Sequence, residues 1–389
     1  MWYEKRVDIS KQYRHPTFSL CCREGRVHLH TPRSTPAFLD GLLDYQVRGH
    51  AASFRENIRL YNSLLQFTSI GAKVDHSINT RAGPFVFKIS GQNYHRIGSL
   101  VPLAGKKPQF AQLYIYDTEN ELQNRKEALN CEDKTSIDDK LLQDLLDMLD
   151  DNNEVVKAFR MVRNRLNSSD VSGIKLTLLA NRTNTDRVYI APIANEIAGL
   201  IVGDFDQLSN HRDVIVEHRS EGFQRINSLH PLYMAMQYPL LFPFGEDGYR
   251  TDIKYRASGG RRKIRRNCMT MREYFAYMIQ QRLNHRSTLL RGGRLFHQFL
   301  VDAFATVEGD RLEFIKSNQR QLRSELFQGV RDAVSRGDVS ASSLGKRIIL
   351  PASFTAGPRY MFQNYQDAMA ICRYHGFPDL FITFTCNPK

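Results

Sequence analysis

Residues 230–249 read HPLYMAMQYPLLFPFGEDGY, His230 to Tyr249. Prolines stand at 231, 239 and 243, and aromatic and aliphatic side chains fill most of the space between them. Each proline removes a main-chain donor and restricts the residue before it, so no regular helix runs through Tyr238–Gly245. The tract divides the chain into two textures.

Upstream, helix and strand patterns alternate. Pro36 to about Phe67 reads as two helices, the second carried by Phe54, Ile58, Tyr61, Leu64 and Leu65 at helical spacing. Phe85–Ile89 and Gln112–Tyr116 alternate apolar and polar residues, which predicts strands. Three helices are expected between Glu119 and Leu166. Ser136 is the expected cap of the second, with Leu141, Leu142, Leu145, Leu146 and Leu149 on its inner face. Strands are expected at Ile174–Leu179 and Val214–Glu217, with a weaker candidate at Val188–Ile190. Downstream the pattern is mainly helical, over Met269–His285, Phe296–Ser317, Gln319–Val334 and Tyr360–Tyr374. Short strands are expected at Arg347–Leu350 and at the end, Leu380–Thr385. The expected fold is α+β, mixed helices and short strands in two or three domains. Residues 1–35 form a cysteine-bearing knuckle, 36–228 an α+β region and 229–389 a mainly helical part with a terminal strand.

The chain has 389 residues, 42% of them hydrophobic and 24% charged. That balance suits folded domains and excludes wholesale disorder. No stretch has the length of apolar sequence a bilayer span needs, and Met1–Arg6 opens no secretory signal. Cys21, Cys22, Cys131, Cys268, Cys372 and Cys386 are scattered apart from one vicinal pair, which reads as free, mostly buried thiols.

The net charge is +13, and it is unevenly spread. Asp117–Glu154 carries 13 acids and 4 bases, while Arg250–Arg294 carries 13 bases and 2 acids. Within the basic segment, Arg261, Arg262, Lys263, Arg265 and Arg266 follow Ser258-Gly259-Gly260. Clustered cations of this kind repel one another unless a polyanion neutralises them, which points to nucleic acid. Arg272, Arg291 and Arg294 extend the candidate set. A membrane role would need a bulky apolar face beside the cations, and the run offers only Ile264. Tyr274, Phe275 and Tyr277 are candidates for base stacking, but their helical spacing favours core packing. The acidic segment reads as the wet face of a helix.

Several tracts in a fixed order resemble Helitron rolling-circle transposases. They are His230–Tyr249, MREYFAYMIQQR at Met271–Arg282, the run Arg291–Phe327, and IILPASFTAGPRYMFQNYQDAMAICRYHGFPDLFITFTCNP at Ile348–Pro388. Phe384, Thr385, Cys386, Asn387 and Pro388 resemble the first Rep motif of that family. The resemblance implies part of a large protein that moves DNA, with a nuclease using a histidine-hydrophobic-histidine strand, a divalent metal and a tyrosine pair, followed by an ATP-dependent helicase. It places the histidine strand and tyrosine helix beyond Lys389. Gly345-Lys346-Arg347 lacks the hydroxyl and the upstream glycine of a phosphate loop.

His28-Leu29-His30 has the histidine-hydrophobic-histidine form, but it lies far from the Rep-like motif. In the family, Phe18–His30 resembles the end of a cysteine knuckle. Cys21 and Cys22 with His28 or His30 are a weak candidate metal site, because adjacent thiolates diverge. The expectation is therefore a non-catalytic DNA-binding portion of such a transposase, with no cofactor of its own. Its partners would be DNA, single-stranded or at transposon ends, and a full-length transposase. The resemblance implies the nucleus. Two alternatives stand beside it: an active single-strand nuclease using His28 and His30, and a decayed transposon remnant.

Overall fold

The helical stripe Phe54, Ile58, Tyr61, Leu64 and Leu65 is buried, as residues three and four apart on one helix face must be when that face meets a core. It belongs to α2 in a computed structural model that describes residues 18, 23–27, 29, 32–75, 77, 86–90, 93–128, 137–168, 174–180, 198–202, 214–217, 223–256, 266–282, 286–319 and 350–380. The chain divides into two units, Met1–Asp75 with Phe87–Thr306, and His76–Val86 with Val307–Lys389. The fold is α+β.

The first unit opens with α1 (Ala37–Leu42) and α2 (His50–Leu65). Four short strands follow: β1 (Ser69–Ile70), β2 (Lys73–Val74), β3 (Ile89–Ser90) and β4 (His95–Ile97). Of the strand expected at Phe85–Ile89, only Ile89 is in β3, which ends at Ser90. The strand expected at Gln112–Tyr116 is a 3-10 helix, Phe110–Tyr114, with Gln109 and Gln112 capping each other. Leu113, Tyr114 and Ile115 are buried in succession. A half-buried strand sends alternate side chains to opposite faces and cannot do this. The guanidinium groups of Arg125 (4.2 Å) and Arg160 (5.4 Å) both lie near the Tyr114 ring centroid. Glu121 accepts from both arginines, and burial pushes the Tyr114 phenol up to about 12.

The three expected helices are α3 (Glu121–Ala128), α4 (Asp139–Asn152) and α5 (Glu154–Ser168). The cap of α4 is Asp138, whose carboxylate accepts from the main chain of Lys140 (2.9 Å) and Leu141 (3.2 Å); Ser136 lies outside the described residues. Strands β5 (Ile174–Leu178) and β7 (Val214–Glu217) appear where expected, with an unforeseen β6 (Ala198–Val202) on the other side of β5, all antiparallel. Val188–Ile190 lies outside the described residues. β8 (Gln224–Arg225) pairs with β4, giving the sheet order β1-β4-β8.

Every residue from His230 to Gly245 is buried. The tract holds one short helix, α6 (Tyr233–Gln237), followed by tight turns in which the Leu241 and Phe242 N–H groups donate to the Tyr238 carbonyl, and further main-chain groups are met from outside. Asn62 donates to the Gln237 carbonyl (2.9 Å), Phe67 N–H to the Met236 carbonyl (2.9 Å), and Asn153 to the Phe242 carbonyl (3.3 Å). His230 accepts at Nδ1 from the Leu232 N–H, so its Nε2 carries the hydrogen that the Leu178 carbonyl accepts at 3.2 Å.

α7 (Met271–Met278) is shorter than the helix expected over Met269–His285. Beyond it Arg282 turns back, donates to the Gln280 carbonyl and lies 3.4 Å from the Tyr277 ring centroid. α8 (Gly293–Ser317) contributes Asp302, which is 1% exposed. Its carboxylate meets His95 Nε2 at 2.7 Å and accepts from the Tyr238 hydroxyl (2.8 Å) and Asn93 (2.5 Å). His95 Nδ1 donates to the Tyr233 carbonyl (3.0 Å), and the two rings stack at 3.8 Å. One carboxylate thus ties α8 to the central strand and to the proline-broken tract. Burial, with Asp302 adding to it, raises the Tyr238 phenol well above its usual value.

The second unit contains Val307–Ser317 of α8, a turn at Pro351–Ala356 and α9 (Pro358–His375), where a helix was expected. Arg311 pairs with Glu308 (2.8 Å) and lies over the Phe354 ring (5.1 Å). Of the other expected elements, residues 347–349, 381–385 and most of 319–334 lie outside the described residues.

Removing the Asp302 carboxylate leaves His95, Tyr238 and Asn93 without their shared acceptor. Asp302→Ala is expected to cost about 3–5 kcal/mol of unfolding free energy, the usual penalty for breaking a buried pair. Denaturant titration checks this, and a loss below about 1 kcal/mol would contradict the role given to the carboxylate.

Candidate nucleic-acid interface

The basic run is entered and left through a pair of extended segments. Met269 N–H donates to the Ile253 carbonyl (2.8 Å) and Tyr255 N–H to the Asn267 carbonyl (3.0 Å), around an antiparallel bridge between Lys254 and Cys268. Arg256 N–H then donates to the Arg26 carbonyl (2.9 Å), adding the turn at Arg23–Arg26 to the same stem. Arg261, Arg262, Lys263 and Arg265 lie between the two sides, outside the described residues.

Glu273 locks the stem to α7. It caps the helix reciprocally with Thr270. It also accepts from the Tyr255 hydroxyl (2.6 Å) and pairs with Arg23 (2.9 Å), whose guanidinium donates to the same hydroxyl. Burial pushes the Glu273 carboxyl up, but the hydrogen bonds from Tyr255 and Thr270 and the Arg23 charge outweigh it and hold it below the usual glutamate range.

The cations of this segment fall into two groups. Arg250 pairs with Asp252 (2.9 Å) and Asp247 (3.5 Å), and Arg286 with Asp44 (3.4 Å) and Asp40 (3.6 Å). Arg291 is held by Asp40 (2.7 Å) and Thr35 (2.8 Å), which ties α1 to the start of α8. Its charge is already met within the protein. Lys254, Arg256, Arg266 and Arg272 are exposed, and none has a carboxylate at salt-bridge distance among the described residues. Lys254, Arg256 and Arg266 belong to the stem and Arg272 to the first turn of α7. Arg294 is exposed on the first turn of α8. Lys254 and Arg256 were not singled out in the sequence, because only the pairing of the two extended segments brings them beside Arg266.

Tyr274 and Phe275 are buried, as their spacing implied, and burial raises the Tyr274 phenol well above its usual value. Tyr277 is half-buried under Arg282. Cys268 and Cys372 are free thiols and half-buried. Cys21, Cys22, His28 and His30, and Phe384, Thr385, Cys386, Asn387 and Pro388, lie outside the described residues. Among the described residues no group of three His, Cys, Asp or Glu is arranged to hold a metal ion, and no helix is long and apolar enough to cross a membrane.

Residues 274–389 match the family model of the Helitron helicase-like domain at the N-terminus. Over these residues the chain is similar to the Helitron helicase-like domain. The match includes Arg291–Phe327 and Ile348–Pro388 whole and begins within α7, downstream of the His230–Tyr249 tract. The exposed stem therefore leads through α7 directly into the matched residues. No curated protein matches the chain.

The lowered carboxyl of Glu273 stabilises the fold fully above the ordinary glutamate range, and this contribution is lost as pH falls through the depressed folded-state value. Glu273→Gln is expected to flatten the acid limb of a melting-temperature profile taken between about pH 3 and pH 7. Identical acid limbs in the two proteins would contradict the lock.

Proposed function

We propose that this chain is a DNA-binding, non-catalytic portion of a Helitron-type transposase. The observation that carries the reading is the stem, where Lys254, Arg256 and Arg266 stand exposed with no carboxylate at salt-bridge distance among the described residues, at either side of the clustered cations. Phosphates are the natural counter-charge for such a surface, and the Helitron domain that follows supplies the context of DNA movement. The partner is single-stranded DNA or a transposon end, with a full-length transposase as a further partner and the nucleus as the compartment. The chain itself needs no cofactor in this reading; the divalent metal and ATP belong to the nuclease and helicase of the full-length family.

Affinity for DNA is expected to fall steeply with salt, by roughly 0.7 log units per phosphate contact per tenfold change on a single strand and roughly 0.9 on duplex. Alanine at Arg261, Arg262, Lys263, Arg265 and Arg266 together should flatten that slope, as read by fluorescence anisotropy across a salt series. An unchanged slope and affinity would remove the basic run from the interface. The purified chain is also expected to leave single-stranded DNA uncut with magnesium or manganese and ATP unhydrolysed. Cutting that disappears in a His28→Ala, His30→Ala variant would instead make the chain a nuclease.

A further inference from the structure

A second surface on the first unit combines cations with aromatic rings. In the sheet β1-β4-β8, Arg96 and Arg225 stand directly opposite each other. Cross-strand partners at one register position project to the same face, and like charges so placed are destabilising. Among the described residues neither arginine has a carboxylate at salt-bridge distance. Aromatic rings accompany them instead. The Arg225 guanidinium lies 4.8 Å from the Tyr94 ring centroid, and that of Arg96 lies 6.0 Å from Tyr94 and 5.3 Å from Phe223. The order across the face is Phe223, Arg96, Tyr94, Arg225.

The backing of this row is built for it. His95 and Ile97 point inward and are buried, so the period of two sends Tyr94 and Arg96 outward. A Cβ at Gly71 would run into the Tyr94 ring, so the glycine lets that ring lie against the main chain of the neighbouring segment. Phe110 meets Phe223 edge-on at 6.2 Å. Phe223 remains 45% exposed and Arg225 is exposed. Arg96 Nε is buried and has no hydrogen-bond partner among the described residues.

We propose that Phe223, Arg96, Tyr94 and Arg225 form a stacking platform for single-stranded DNA. Two uncompensated guanidinium groups call for an anion, and the flat faces of Phe223 and Arg225 call for a planar partner. Unpaired nucleotides supply both, the bases stacking and the phosphates taking the charge, whereas duplex DNA keeps its base faces covered. Tyr94 acts as the floor that holds Arg225 flat. The inference rests on the DNA-binding reading but not on the basic run, since none of its residues belongs to that segment.

The test measures binding of the full chain to an oligo-dT strand and to an abasic strand of equal length, by fluorescence anisotropy across a salt series. Phe223→Ala, and Phe223→Leu to keep the apolar bulk, should weaken oligo-dT binding about tenfold, leave abasic binding unchanged and leave the salt slope unchanged. Arg96→Ala with Arg225→Ala should lower the slope by roughly 1.4 log units on either strand, at roughly 0.7 per contact. Arg225→Lys should keep the slope and still weaken oligo-dT binding. Wild-type affinity in Phe223→Leu and Arg225→Lys, with binding lost only when the basic run is replaced, overturns the platform and leaves the DNA reading standing. No binding of either strand by the wild-type chain overturns both.

Discussion

A proline-broken segment buried along its whole length must have its main-chain donors and acceptors met by something other than its own helix or sheet. His230–Gly245 is such a segment, and the first unit is arranged around meeting that demand. Asn62 reaches it from α2, Phe67 from the chain after α2, Asn153 from the start of α5, and His230 links it to β5. Deleting any one of these contacts leaves a buried polar group unsatisfied, at about 1–3 kcal/mol each. The tract is a hub whose spokes are polar, while the space around it is filled by Leu232, Met236, Tyr238, Leu240 and Leu241.

The orientation of the central sheet follows from the same hub. Tyr233 and Tyr238 of the tract face His95 and Asp302, and the buried hydrogen bonds among them fix which side of β4 points inward. A strand offers only two faces. Once His95 is held inside, Tyr94 and Arg96 must face out, and Arg225 on β8 faces out beside them. A cationic, aromatic outer surface is thus a consequence of how the core is wired. The stem of the basic run obeys a similar logic, because the capping box of α7 uses a glutamate that also holds Tyr255 and Arg23.

The helices were legible because their signals are local. The Leu141–Leu149 stripe, the Phe54–Leu65 stripe and the pattern around Tyr360–Tyr374 each repeat at helical spacing, and each became a helix. The concentration of charge at Arg250–Arg294 was equally plain. Which of those cations stay uncompensated was not, since the Asp40 that meets Arg286 and Arg291 lies far away in the chain. Gln112–Tyr116 misled because alternation in so short a run fits a tight helical turn as well, and Arg125 and Arg160 close on Tyr114 only in the folded chain. The pair Arg96 and Arg225 left no mark in the sequence: strands of two and three residues carry no period, and their register is set by tertiary contacts.

Binding of DNA by the first unit is the claim on which the functional reading turns, and hydrogen–deuterium exchange with and without an oligo-dT strand tests it most directly. Slowed exchange is expected at 94–97 and 223–225, and around the stem at 253–256 and 266–270. Protection should be unaltered in the buried tract, which is already closed to solvent. Exchange unchanged at both surfaces, under conditions where the strand is bound, would contradict the account.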